Sequence, residues 1–138
     1  MKKEFEILDH TADVGIIAYG TDMKEAFANA AKALFSLITD LDDVEEVTQR
    51  DIELTAPDRE SLLINWLNEL IYLFDADNLL FKKFDIIRLS QTHLKARIYG
   101  EKVDNSRHKL KIGVKAATYH MLKISRNDGV SLQVVFDI

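Results

Sequence analysis

Between two apolar runs near the start of the chain lies LDHTADVGI, in which Asp9, His10 and Asp13 place two carboxylates and an imidazole within five positions. A turn uses one aspartate, whose side chain bonds the backbone ahead of it, but needs neither a second acid nor a histidine. The other end of the sequence carries a matching feature. If VSLQVVFDI is a strand, Val130, Leu132, Val134, Phe136 and Ile138 share one face and Asp137 projects from the other. The α-carboxylate of Ile138 then lies about 3.3 Å further along. Two anionic groups so placed repel one another, and a cation relieves them. Should the early loop pack beside this end, three or four carboxylates and the His10 imidazole would converge. Such hard donors suit Ca²⁺, Mg²⁺ or Mn²⁺ rather than a structural zinc. The plainer alternative is that Asp9 or Asp13 forms the turn and Asp137 is a solvated strand-end charge.

Further candidates need the same weighing. His120, in KAATYHMLKI, has the titration range of a general base or ligand, although a lone strand histidine is more often a satisfied structural group. Glu69 borders an apolar stripe and reads as a boundary residue, while Trp66 on that stripe reads as core. Between residues 102 and 115, Lys102, Arg107, Lys109, Lys111 and Lys115 stand with His108 against Asp104 alone. That reversal of sign would suit phosphate or an acidic partner, or it is a solvated loop with an edge strand. The chain has no glycine-rich phosphate loop, no GxSxG and no HExxH.

The elements that must position these groups follow from periodicity. Phe5 and Ile7, then Val14, Ile16 and Ala18, alternate as strands do, so LDHTAD is a connection at a sheet end. Asp22 with Glu25 has capping-box spacing. The apolar series Met23, Ala26, Phe27, Ala30, Leu34, Leu37, Ile38 and Leu41 predicts a helix of about five turns. After the acidic DLDDVEEV, a strand is expected around residues 52–55, and Pro57–Asp58 opens a second helix. Its stripe is Leu62, Leu63, Trp66, Leu67, Leu70, Ile71 and Phe74. From Leu79 onward the pattern is β, and Asn127-Asp128-Gly129 predicts a terminal hairpin. The fold class expected is α+β, a two-layer sandwich of two amphipathic helices packed on a mostly antiparallel sheet.

Composition bounds the function. The 138 residues suit a single domain, 1–138, able to bury about two-thirds of its unfolded surface. With no cysteine, disulfides, thiolate nucleophiles and cysteine zinc sites are excluded. Charged residues make up 30% of the chain and the net charge is −5, so general attraction to nucleic acid, DNA included, is not expected. MKKEFEILDH lacks the apolar core of a signal peptide, and no run approaches the ~18 residues of a membrane span. The expected compartment is cytoplasmic, with no membrane partner.

Taken together, LDHTADVGI, WLNELIYLF, KAATYH and a chain ending VVFDI resemble the archease family, from about residue 4 to the last residue. The resemblance implies an accessory protein rather than an enzyme. Its implied partner is the RtcB-type RNA ligase, which joins tRNA exon halves and repairs RNA ends using GTP and Mn²⁺ through a covalent histidine–GMP intermediate. The family's implied role is to promote that guanylylation and multiple turnover, meeting tRNA and GTP indirectly through the ligase. It further implies that Asp13 and Asp137 are metal-associated, with His10 and the Ile138 carboxylate nearby. Lys115 then matches a functional basic position and His120 belongs to the same motif. Two other classes remain in view at this level. One is an independent divalent-metal-dependent phosphoesterase using Asp13, Asp137 and His120; the other is a chaperone-like RNA-binding module using residues 102–115.

Overall fold

The computed structural model describes residues 3–9 and 13–138; His10 therefore lies outside the described residues. Strands β1 (Phe5–Asp9) and β2 (Asp13–Gly20) lie where the alternation predicts and pair antiparallel from Phe5 opposite Ala18 to Asp9 opposite Val14, but ladder bonding takes Leu8, Asp9 and Asp13 of the expected LDHTAD connection into the strands.

Helix α1 (Met23–Ile38) starts where its capping residues stand. The Asp22 carboxylate accepts the Glu25 N–H (2.8 Å) and the Glu25 carboxylate accepts the Thr21 N–H (2.6 Å). This is a capping box whose return bond reaches one residue further back. The helix stops at Ile38, short of the expected Leu41, which sits in a 3-10 turn (Leu41–Asp43). A distant segment explains the early end. The Lys111 N–H donates to the Ile38 carbonyl (2.7 Å), so a partner from elsewhere satisfies that end carbonyl, and the Thr39 hydroxyl ties the same segment down by donating to the Lys109 carbonyl (2.9 Å).

After β3 (Thr48–Thr55), helix α2 (Arg59–Asp77) is capped by Asp58, whose carboxylate accepts the Ser61 N–H (2.7 Å). It closes on Asn78 in the left-handed region, φ 55°. Strands β4 (Leu79–Leu89), β5 (His93–Lys102), β6 (Ala116–Ser125) and β7 (Val130–Asp137) follow. The expected hairpin is present between β6 and β7. Its turn uses Asp128 and Gly129 at φ 55° and 96°, with the Gly129 α-carbon so near the Gly20 carbonyl that an added Cβ would lie 2.8 Å from it.

Both helices and the antiparallel pairing confirm the α+β class, but the strands form two sheets rather than one. Their orders are β1-β2-β7-β6 and β3-β5-β4. The helices bridge them: α1 packs on β2 and β7 of one and on β4 of the other, and α2 runs along β6 while also touching β3, β4 and β5. Alanines 26, 30, 31 and 33 are fully buried on α1 and allow close approach, while Phe35 meets Phe81 edge-on (5.8 Å) and stacks on Phe84 (5.9 Å). Trp66 is core as expected, edge-on to Phe84 (6.3 Å), with its indole N–H donated to the Phe27 carbonyl (3.1 Å). Among the described residues no helix is long and apolar enough to cross a membrane.

Candidate functional site

The β2–β7 register sets Asp13 directly opposite Asp137, the last rung of that ladder. On the other side of β7, Ala116 stands opposite Asp137, and the Lys115 N–H donates to the Asp137 carbonyl (2.8 Å). One sheet end thus brings together the two acids that the sequence holds 124 positions apart (137 − 13), with the basic residue beside them. Side chains of residues directly opposite in an antiparallel pair have Cβ atoms about 4.5–5.5 Å apart, close enough to share one cation.

Burial gives the pair a definite character. Asp137 is exposed at the strand end on the face that parity gives it, although Val135 on that face is buried, and Asp13 is half-buried. The Asp13 Oδ1 atom is closed off from solvent and finds no hydrogen-bond partner among the described residues. A buried carboxylate oxygen without a donor is costly, and the like charge opposite adds to the cost. A hard divalent cation meets both needs, so the donor chemistry fits the group that the sequence suggests. Ile138 follows the strand, exposed, with its main-chain oxygen at the same end. Among the described residues, no group of three or more acidic, histidine or cysteine side chains is placed to hold a metal ion, and the acidic side chains described at this end are the two carboxylates.

His120 is placed differently. The β6–β7 ladder runs regularly through Ala116, Ala117 and Thr118, then jumps from Thr118 opposite Val135 to Lys123 opposite Gln133. His120 lies in the resulting bulge, exposed between exposed Tyr119 and Met121, and is not in register with Asp137. Met121 adopts φ 55°, unusual for a residue with a side chain, and its carbonyl accepts the Gln133 amide (3.1 Å). Asp9 closes β1 opposite Val14, exposed.

Part of the basic segment is committed inside the protein. His108 is only 3% exposed. Its Nδ1 accepts the Asp104 N–H (2.9 Å) and its Nε2–H is shared between the Asp43 carbonyl (2.9 Å) and Glu101 (3.0 Å), which requires the neutral Nε2-protonated tautomer. Glu101 also receives Arg107 (2.5 Å) and the Glu45 N–H (2.7 Å). The Arg107 guanidinium holds the Glu101 carboxyl below its ordinary value, helped by the Glu45 N–H and His108 and opposed by burial. Lys111 pairs with Asp40 (3.3 Å). Arg107, His108 and Lys111 thus tether the segment, while exposed Lys102, Lys109 and Lys115 have no salt-bridge partner among the described residues.

Asn68 carries no periodicity signal of its own. Its Oδ1 accepts the Ala117 N–H (2.8 Å) and its amide donates to the Ala117 carbonyl (3.4 Å), joining α2 to β6 beside the site. The available signal was an asparagine, a poor helix former, within the helical run WLNELIYLF.

The chain is similar to known proteins over nearly its whole length. The Archease protein family (MTH1598/TM1083) matches residues 5–138. The protein archease of Sulfolobus acidocaldarius is 46% identical over 136 residues, covering 97% of this chain and 98% of that one. A solution structure of a Methanobacterium thermoautotrophicum protein is similar with TM-score 0.84 and 40% identity over 98% of this chain and 99% of that chain. A crystal structure described as an archease, possible chaperone, from Thermotoga maritima shares the fold at TM-score 0.66 and 22% identity, covering 100% of this chain and 98% of that one.

Proposed function

The chain belongs to the archease family, and on that premise we propose that it is a non-catalytic activator of an RtcB-type RNA ligase. It acts in tRNA splicing and RNA repair, promoting GTP- and Mn²⁺-dependent guanylylation of the ligase and its multiple turnover. The observation that carries this reading is the opposed pair Asp13–Asp137, with one buried oxygen unsatisfied, at a sheet end that also presents Lys115. Asp13, Asp137 and the Ile138 main-chain oxygen hold a divalent cation, Ca²⁺, Mg²⁺ or Mn²⁺, which when bound supplies positive charge at this tip. Lys115, exposed on a backbone fixed to Asp137, meets phosphate or an acidic surface of the ligase. In sequence, His10 shares the DHTAD motif with Asp13, and His120 shares the KAATYH motif with Lys115. GTP and tRNA are met through the ligase, where the chemistry takes place.

The test is ligase guanylylation across a GTP and Mn²⁺ titration, with a ligase from the same cell. The wild-type chain raises the rate, whereas Asp13→Asn and Asp137→Asn, folded as wild type, do not. Normal stimulation by both variants would sink the carboxylate mechanism. A second reading draws on exposed Tyr119 (57%) and Met121 (60%), a sticky pair in keeping with the chaperone suggestion made for the Thermotoga protein. It predicts that the chain suppresses aggregation of unfolded clients without any ligase. An independent phosphoesterase would instead hydrolyse a phosphoester alone with Mn²⁺ or Mg²⁺.

A further inference from the structure

β6 is the outer strand of its sheet, so one of its edges has no strand neighbour. Ala117 is buried, 6% exposed, where water cannot readily serve its main-chain groups. Asn68, midway along α2, supplies what a neighbouring strand would supply: an acceptor for the Ala117 N–H (2.8 Å) and a donor for the Ala117 carbonyl (3.4 Å). The position of this clamp matters because of the bulge. Only Ala116, Ala117 and Thr118 pair regularly with β7 before the register breaks, so these three rungs are cut off from the rest of the β6–β7 ladder. Their placement needs an anchor of its own. Ala116 stands opposite Asp137, and the Lys115 N–H binds the Asp137 carbonyl. A shift of the short segment therefore moves the main chain of Asp137 relative to Asp13.

We propose that Asn68 is the positioning residue of the candidate metal site: by clamping Ala117 from α2, it holds Asp137 and Lys115 in place beside Asp13. The inference rests on the reading of Asp13 and Asp137 as metal ligands. Its logic is that of outer-shell partners in metal sites, which orient the ligands without touching the ion.

The experiment measures Mn²⁺ binding by the isolated full chain, with amide hydrogen exchange on the same samples. Asn68→Leu removes both bonds while keeping a helix-favouring side chain of similar size. Mn²⁺ affinity falls about 10- to 100-fold, the Ala117 and Lys115 amides exchange faster, and core amides of α1 stay protected. Asn68→Asp keeps the acceptor for the Ala117 N–H and restores most of the affinity together with the slow exchange of the Ala117 amide, a linked recovery that an added charge alone would not give. If Asn68→Leu does not fold, Asn68→Ser, too short to make both bonds, serves the same comparison. Wild-type affinity in the clamp-breaking variant overturns the positioning role, as does an Asp variant as weak as the Leu variant. Failure of the wild-type chain to bind Mn²⁺ overturns the metal reading itself, and this inference with it.

Discussion

Carboxylates directly opposite one another across adjacent strands destabilise a sheet, and Asp13 and Asp137 are so placed. Neutralising one of them relieves the repulsion, so Asp13→Asn is expected to melt at or above the wild-type midpoint in metal-free buffer. Added Mn²⁺ reverses the order. At ten times its Kd a bound cation stabilises the wild-type chain by about 1.4 kcal/mol, and the variant gains little; paired thermal melts with and without the ion read both effects. Glu101 offers a second test. Its carboxyl, held by Arg107 below the ordinary 4.5, favours the ionised form in the folded state. That contribution is complete above the unfolded carboxylate's value and is lost as pH falls through the lower, folded one. Wild type should therefore lose stability more steeply below about pH 4.5 than Glu101→Gln. The variant is weaker at neutral pH by about 1.5–3 kcal/mol, the worth of a hydrogen bond to a charged group. A parallel acid dependence of the two would remove Glu101 from the account.

The bulge in β6 and the crossing at Gly100 show what individual elements tolerate. Met121 sits at φ 55°, a conformation that costs a side-chain-bearing residue about 1–2 kcal/mol, while glycine enters it freely but loses more unfolded-state freedom. The net expectation for Met121→Gly is a stabilisation of at most about 1 kcal/mol, measured by urea unfolding. Gly100 has no such latitude. A Cβ there would stand 1.8 Å from the Leu80 carbonyl oxygen on the paired strand, so Gly100→Ala must push β4 and β5 apart. A loss above about 4 kcal/mol, or failure to fold, is the expected outcome. Strand periodicity finds such elements but not their irregularities, because the bulge depends on how β6 aligns with β7 and the glycine on how closely β4 approaches.

The whole molecule is held together by two helices shared between two sheets, with no barrel closure among the described strands. Trp66 lies where α1, α2 and β4 meet, through Phe27 and Phe84. Since both sheets lean on this one junction, they should unfold together. Trp66 fluorescence and far-UV circular dichroism are expected to give coincident urea transitions. A fluorescence transition preceding the loss of β signal would show that the sheets do not depend on this junction.

Helix starts, apolar stripes and the terminal hairpin were written locally, because caps, 3.6-residue spacing and turn residues act within a few positions. The outward side of Asp137 was legible too, since strand parity alone fixes it. The division into two sheets, the early end of α1 at Ile38 and the internal use of Arg107, His108 and Lys111 were not, since each depends on partners tens of residues away. The same holds for the site. The sequence supplied two acids and a lysine of the right chemistry, and the motif resemblance tied them to a family. Only the antiparallel register of β2 on β7, with Asn68 clamping β6 behind them, put Asp13, Asp137 and Lys115 at one sheet end. Register is set by which whole faces of strands can be buried together, and that is a property of the packed molecule.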